Sequence, residues 1–205
     1  MFNLLSNTIK DNFDYRFNII ILGTSYSGKS SVVRRYIRDS FTEEHTLLLG
    51  YERQDKILEI NNNLVKLDIY DKQNFSPRFS PLPGRYYKCR DGAIIVCNFF
   101  DNTYYDVEGI IKEIKSNADP ETQIIIFVNK CDLEYDIKAK EEIKKLADKY
   151  NIKYFEVSAK TGYNINEGFN ALINDILAEW ENFSKRIIEL ENTDEKSKKY
   201  KKCAK

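Results

Sequence analysis

Eight residues near the start of the chain, Gly23 to Ser30 ("GTSYSGKS"), have the spacing G-x-x-x-x-G-K-[ST]. The physics of this pattern is specific. Glycines let the backbone curl so that its N–H groups converge on phosphate oxygens. A helix that follows adds its positive N-terminal end. Lys29 supplies a point charge for β- and γ-phosphates, and the Ser30 hydroxyl is a ligand for Mg²⁺. The phosphate-binding set is read as Gly23, Ser25, Tyr26, Ser27, Gly28, Lys29, Ser30 and Ser31. Such a loop does not choose the base, so an ATPase or a small-molecule kinase remains open at this point.

The base is addressed further along. "NKCD" (Asn129 to Asp132) follows the apolar run "QIIIFV". A carboxylate at Asp132 can accept two hydrogen bonds from the N1–H and 2-amino group of guanine, a donor pair that adenine lacks. Asn129 can bind the base edge and tie down the loop, and the Lys130 stem can cover one ring face. In "EVSAK", the Ala159 backbone N–H can meet guanine O6, while Ser158 and Lys160 shape the loop. Each short motif alone is weak; their order after successive strands, behind a phosphate loop, is strong. The same stretch argues against a nucleoside or nucleotide kinase, which has no need of guanine preference.

These loops need a scaffold that ends several strands at one edge. "RFNIIIL" (Arg16 to Leu22) is a continuous apolar run, as in a strand buried on both faces. "KSSVVRRYIRD" then has helical spacing. "KILEI" and "LVKLDIY" flank "NNN" and read as a hairpin with an Asn-rich turn. "AIIVCNFF", "QIIIFV" and "KYFEVS" read as strands. "YYDVEGIIKEIKS", "KAKEEIKKLADKY" and "INEGFNALINDILAEW" read as helices. Trp180, Phe183, Ile187 and Leu190 extend the last apolar stripe at steps of three, four and three. Alternation of strands and helices implies an α/β fold: a mostly parallel six-stranded sheet with helices on both faces. Residues 1–14 form an N-terminal extension, 15–190 the domain, and 191–205 a polar, lysine-rich tail of disordered composition.

The totals narrow the classes. The 205 residues suit one domain, and 42% hydrophobic content supplies a core. With 32 basic and 32 acidic side chains, general phosphate attraction to nucleic acid is not expected. Cys89, Cys97, Cys131 and Cys203 show no C-x-x-C spacing, and His45 is the single histidine, so neither a zinc site nor a disulfide framework is expected. Cys97 reads as a core thiol and the compartment as cytoplasmic. No apolar run approaches the roughly 20 residues of a membrane span. The N-terminus lacks the features of a secretion signal and of N-myristoylation.

From Asp14 to Phe183 the sequence resembles the small GTPases of the Ras superfamily, and the Rab branch in particular. "DSFTEE" is similar to the approach to switch I, "YYKCRDGAIIV" to the Rab "YYRGAxGIIVV" stretch, and "SAKTGYNINEGF" to "SAKxxxNVExxF". The resemblance implies the G-domain form of the P-loop NTPase fold, GTP or GDP with Mg²⁺ as ligands, and effector and regulator proteins as partners. It implies that Phe41 stacks on guanine and that Asp71 holds Mg²⁺ through water beside Ser30.

The sequence departs from that pattern in three places. Tyr26 and Ser27 stand where the family usually has Gly and Val. Leu48 falls on the switch I threonine that ligates Mg²⁺ and senses the γ-phosphate; Thr46 lies two residues away. The family's "WDTAGQERF" is replaced by "YDKQNFSPRF", one residue longer, with no glycine between Asp71 and Gly84. The catalytic glutamine position falls on Phe75 or Ser76, and Gln73 is displaced. Pro77, Pro81 and Pro83 remove donors and fix φ. The parts that hold nucleotide are kept, while those that hydrolyse it and sense its loss are changed. The proline block is either a partner-binding surface or a rigid solvated loop.

The chain ends "KKCAK", which does not match C-a-a-X. Its lysines can attract an anionic leaflet at about 1 kcal/mol each. The expected protein is a monomeric, cytoplasmic or peripherally membrane-bound guanine-nucleotide-binding protein of Rab-like type, serving vesicle traffic or signalling with weakened hydrolysis and switching. The alternative is a pseudo-GTPase scaffold that holds GTP statically or binds nucleotide poorly.

Overall fold

The computed structural model describes residues 13–43, 51–72, 83–100, 106–134 and 137–192. Six strands form one sheet in the order β2-β3-β1-β4-β5-β6. They are β1 (Tyr15–Leu22), β2 (Tyr51–Ile60), β3 (Asn63–Lys72), β4 (Gly92–Cys97), β5 (Gln123–Val128) and β6 (Lys153–Glu156). Only the β2–β3 pair is antiparallel. The other pairs are parallel, so the last residues of β1, β3, β4, β5 and β6 share one edge of the sheet. The expected mostly parallel sheet is the one observed.

The helices are α1 (Lys29–Arg38), α2 (Val107–Asn117), α3 (Ile137–Tyr150) and α4 (Ile165–Asn192). Strands buried on both faces need cover on both faces. Val32, Val33 and Tyr36 of α1 and Phe169, Leu172, Ile173 and Ile176 of α4 pack against Phe17, Ile19, Ile21, Leu67 and Ile69 on one side. Ile110, Ile111 and Ile114 of α2 and Ala139, Ile143 and Ala147 of α3 cover Ile20, Leu22, Ile95 and Ile126 on the other. Tyr36 and Phe169 stack ring on ring, locking α1 to α4. Cys97 is buried, as a core thiol should be.

The hairpin turn is Asn61-Asn62, with φ of 51° and 63°. Left-handed φ at both central residues is the mirror-type turn whose twist matches the flanking strands, and Asn tolerates it. The β4 run stops earlier than its apolar letters imply. Asn98, fully buried, accepts the Phe100 N–H on its side-chain oxygen at 2.8 Å and turns the chain out of the sheet. α2 begins at Val107, and α4 continues through Asn192, in line with the extended stripe. Trp180 and Phe183 are 45% and 39% exposed, so at these two positions the stripe faces largely away from the core.

On β3, Val65, Leu67 and Ile69 face the α1/α4 layer, and Asp68 alternates to the other face. The Asp68 carboxylate, buried, pairs with Arg16 at 2.6 Å and Arg53 at 3.1 Å. Two guanidiniums on neighbouring strands make that burial tolerable. Between the two helices of the other layer, Glu108 of α2 accepts from Lys149 at 2.9 Å and from the Tyr150 hydroxyl at 2.8 Å on α3, and pairs with Lys112. These donors, Lys149 first, pull its carboxyl down to about 2.

A folded-state carboxyl below its unfolded value stabilises above that value and loses the effect as pH falls. Glu108→Gln should therefore lower the melting temperature at pH 7, and the gap to the unaltered protein should close between pH 4.5 and about 2 in a thermal melt series. Gly168 of α4 is packed so closely that a Cβ there would stand 2.5 Å from the Phe127 ring. Helix propensity alone would favour Gly168→Ala by about 1 kcal/mol. Overpacking should reverse the sign, giving a loss of roughly 1–3 kcal/mol in urea unfolding.

Candidate functional site

The loop from Gly23 to Gly28 leaves β1 at the edge where the parallel strands end. Gly23 (φ 141°) lies flush on β4: a Cβ there would stand 2.0 Å from the Val96 carbonyl oxygen. Gly28 (φ 91°) passes under Asn129, where a Cβ would meet Nδ2 at 2.2 Å. Both positions need glycine for conformation and for space. Tyr26 takes φ 62° without being glycine and is 68% exposed, so its ring stands outward at the mouth of the loop. Ser27 is buried and donates Oγ to the Thr24 carbonyl at 2.9 Å, cross-bracing the loop where an apolar residue would make no such bond. Ser25 is exposed, and Ser31 sits half-buried in the first turn of α1.

Lys29 is buried and donates Nζ to the same Thr24 carbonyl at 2.7 Å. Desolvation lowers its ammonium to about 8, against the opposing pull of Asp71. An ammonium held this way is short of negative charge, which a polyphosphate supplies. The Ser30 hydroxyl donates to Asp71 Oδ2 at 2.6 Å. Asp71 lies at the end of β3 beside Ile21 of β1. Its carboxyl is buried, Oδ1 has no hydrogen-bond partner among the described residues, and burial raises its pKa. A hydroxyl and a carboxylate with an unmet oxygen fit the hard, oxygen-seeking Mg²⁺.

Asn129 follows β5 and is buried between two loops. Its Nδ2 donates to the Ser27 carbonyl at 3.0 Å, and its Oδ1 accepts the Ala159 N–H at 3.0 Å. Of the two roles read from sequence, the geometry displays the tying one. The Ala159 N–H, read as a donor to guanine O6, is directed to Asn129. Lys130 is half-buried at φ 67°, which turns the chain so that Asp132 stands exposed beyond it. Asp132 Oδ1 accepts from Ser158 Oγ at 2.6 Å, and that Oγ in turn accepts the Thr161 N–H at 3.1 Å. Lys160 is exposed, its Nζ 3.2 Å from Glu43. Phe41 is half-buried against the α1/α4 core.

The phosphate loop, the Ser30–Asp71 pair and both base loops therefore meet at one sheet edge. Thr46, Leu48, Gln73, Phe75, Ser76, Pro77 and Pro81 lie outside the described residues. Pro83 (φ −52°) precedes a single 3₁₀ turn, Gly84–Tyr86. Sequence reading missed Arg35, whose guanidinium reaches the carbonyls of Ala159 and Lys160. Its only signal in the sequence was a basic residue in the last turn of α1, which usually means a solvated cation. Asn129→Asp would set a carboxylate oxygen against the Ser27 carbonyl and leave a buried acceptor unmet. GDP affinity should fall by roughly 10–100-fold, read by fluorescent-GDP titration.

The chain matches the family model described as "Ras family" over residues 18–178. It is 32% identical to "Ras-related protein Rab-13" of Mesocricetus auratus, over 80% of this chain and 82% of that protein. It is 33% identical to "Ras-related protein Rab-11B" of Dictyostelium discoideum, over 80% and 75%. It is 31% identical to "Ras-related protein Rab-3A" of Homo sapiens, over 82% and 76%. With the sheet order, the phosphate loop and the two base loops in place, this chain belongs to the Ras family, as a Rab-like small GTPase.

Proposed function

We propose that this protein binds GTP and GDP with Mg²⁺, hydrolyses GTP slowly, and acts through effector and regulator proteins in vesicle traffic or signalling. The observation that carries the reading is the Asn129 bridge, which joins a phosphate-shaped loop to a guanine-shaped one. Gly23 to Ser31 would wrap the phosphates, with Lys29 drawn from the Thr24 carbonyl onto them. Ser30 and Asp71 would hold Mg²⁺, which supplies positive charge to the β- and γ-phosphates when bound. Asp132, anchored by Ser158, would read the guanine edge, with Lys130 and Phe41 against its faces. Vesicle traffic comes from the Rab names of the relatives, not from a residue of this chain.

Slow hydrolysis rests on the residues at the switch positions. Leucine at 48 cannot ligate Mg²⁺, and neither Phe75 nor Ser76 can orient a water as a glutamine amide does. No described helix is long and apolar enough to cross a membrane. The lysines of 191–205 would supply peripheral attraction to an anionic leaflet. One observation favours the pseudo-GTPase reading: Tyr26 places a large ring at the loop mouth, in a conformation that favours glycine.

The test is a single turnover. Purified protein is loaded with GTP and Mg²⁺, freed of excess nucleotide, and followed for GDP. Intrinsic conversion in this class runs on the order of 10⁻⁴ s⁻¹. GTP that outlasts that pace by tenfold or more supports the proposal. Conversion at the ordinary pace means that other groups replace the missing switch contacts and removes the slow-hydrolysis part. Failure to load at all would favour the pseudo-GTPase alternative, and Tyr26→Gly would then show whether the ring is the obstacle.

A further inference from the structure

We infer that Arg35 is a positioning residue for guanine recognition, holding the 158–162 loop in shape from the far end of α1. The inference rests on the reading that this loop meets a guanine base. Arg35 lies 124 and 125 residues from the two carbonyls it binds. Nε donates to the Ala159 oxygen at 2.9 Å and Nη2 to the Lys160 oxygen at 2.7 Å. Nη1 donates to the Asp39 carbonyl and to Asp39 Oδ1, both at 3.0 Å. Three nitrogens of one planar fork are thus engaged in four hydrogen bonds, and the side chain is 15% exposed. A lysine, with one nitrogen, cannot span these acceptors.

The segment that Arg35 holds has little else to fix its outer side. Inside the turn, the Gly162 N–H donates to the Ser158 carbonyl at 2.8 Å and the Ser158 N–H to the Tyr163 carbonyl at 3.1 Å. Asn129 anchors the Ala159 N–H from the core side. The Ala159 and Lys160 carbonyls point the other way, towards α1, and the fork closes that side. Gly162 takes the left-handed φ of 87° that closes the turn, and a Cβ there would have room beside the Arg35 stem, 3.6 Å from Cδ.

The path to the base runs through Ser158. Its hydroxyl fixes Asp132 Oδ1, and Asp132 is the carboxylate that tells guanine from hypoxanthine by accepting the 2-amino group. If 159–160 drifts, Ser158 drifts, and Asp132 loses its anchor. Arg35 also ties Asp39 to the same loop, and Lys160 reaches Glu43 four residues on. The strap 39–43, which carries Phe41, is thereby fastened to the base loop and not only to α1.

The experiment compares the full-length protein with Arg35→Ala and Arg35→Lys, using fluorescent GDP and fluorescent IDP with Mg²⁺. The expected result for Arg35→Ala is GDP release at least tenfold faster, with the GDP-over-IDP preference narrowed at least threefold. Arg35→Lys keeps the charge near Asp39 but not the fork, and should stay within threefold of Arg35→Ala. Release within twofold of the unaltered protein, equal acceleration for GDP and IDP, or full rescue by lysine would each overturn the inference. A second readout is independent of nucleotide: hydrogen exchange of the 159–162 amides in nucleotide-free protein should quicken in Arg35→Ala. If the unaltered protein binds neither nucleotide, the functional reading fails and the role in guanine recognition is overturned with it; the exchange measurement then separately decides whether Arg35 holds the 159–162 loop, unchanged exchange overturning that too.

Discussion

The side-chain amide of Asn129 is the joint on which the site depends. It offers one donor and one acceptor in a fixed plane, and each is taken by the backbone of a different loop. The donor steadies the phosphate loop at Ser27; the acceptor steadies the base loop at Ala159. Burial makes the arrangement stringent, since an unmet amide inside the protein costs more than the bonds return in water. Gly28 is the counterpart: only a residue without a Cβ lets the phosphate loop come within bonding distance of that amide. A phosphate site and a base site that are separate in sequence become one object through a single planar group.

That joint works because of where the strands end. β1, β3, β4, β5 and β6 run the same way, so the residues after them arrive at one edge. Gly23 follows β1, Asp71 lies near the end of β3, Asn129 follows β5 and Ser158 comes two residues after β6. The two core layers, α1/α4 and α2/α3, hold the sheet on both faces and leave that edge for polar chemistry. The face of β3 turned away from α1 and α4 is handled differently. There a buried carboxylate, Asp68, is matched by two arginines from adjacent strands.

Much of this was legible in the sequence because it is written in short-range patterns. The continuous apolar runs of β1 and β5 carry the sheet, and the 3.6-residue spacing of α2, α3 and α4 carries the layers. The phosphate loop is a contiguous motif, and the Asn61-Asn62 turn is announced by its residue type. What was not legible depends on distance or on a local competition. Asn98 ends β4 because its side chain captures a backbone N–H two residues on, although the letters around it are apolar. Arg35 and Asp68 look like ordinary surface charges until the fold brings acceptors to one and arginines to the other. The Ala159 N–H bonds to Asn129, a partner thirty positions away that the sequence does not reveal.

Trp180 is the only tryptophan in the chain. It sits fifteen residues into α4 from Ile165, about 22 Å along the axis from the base loop. Its indole bonds to Asp91, the carboxylate that also receives the Asn18 N–H at 2.7 Å. The residue is 45% exposed, so the ring is partly in water. Tryptophan emission from this protein, excited beyond the tyrosine absorption, is therefore a signal from α4 well away from the base loop. It reports on the Trp180–Asp91 contact, and carries information about loading only to the extent that this contact and the nucleotide edge move together.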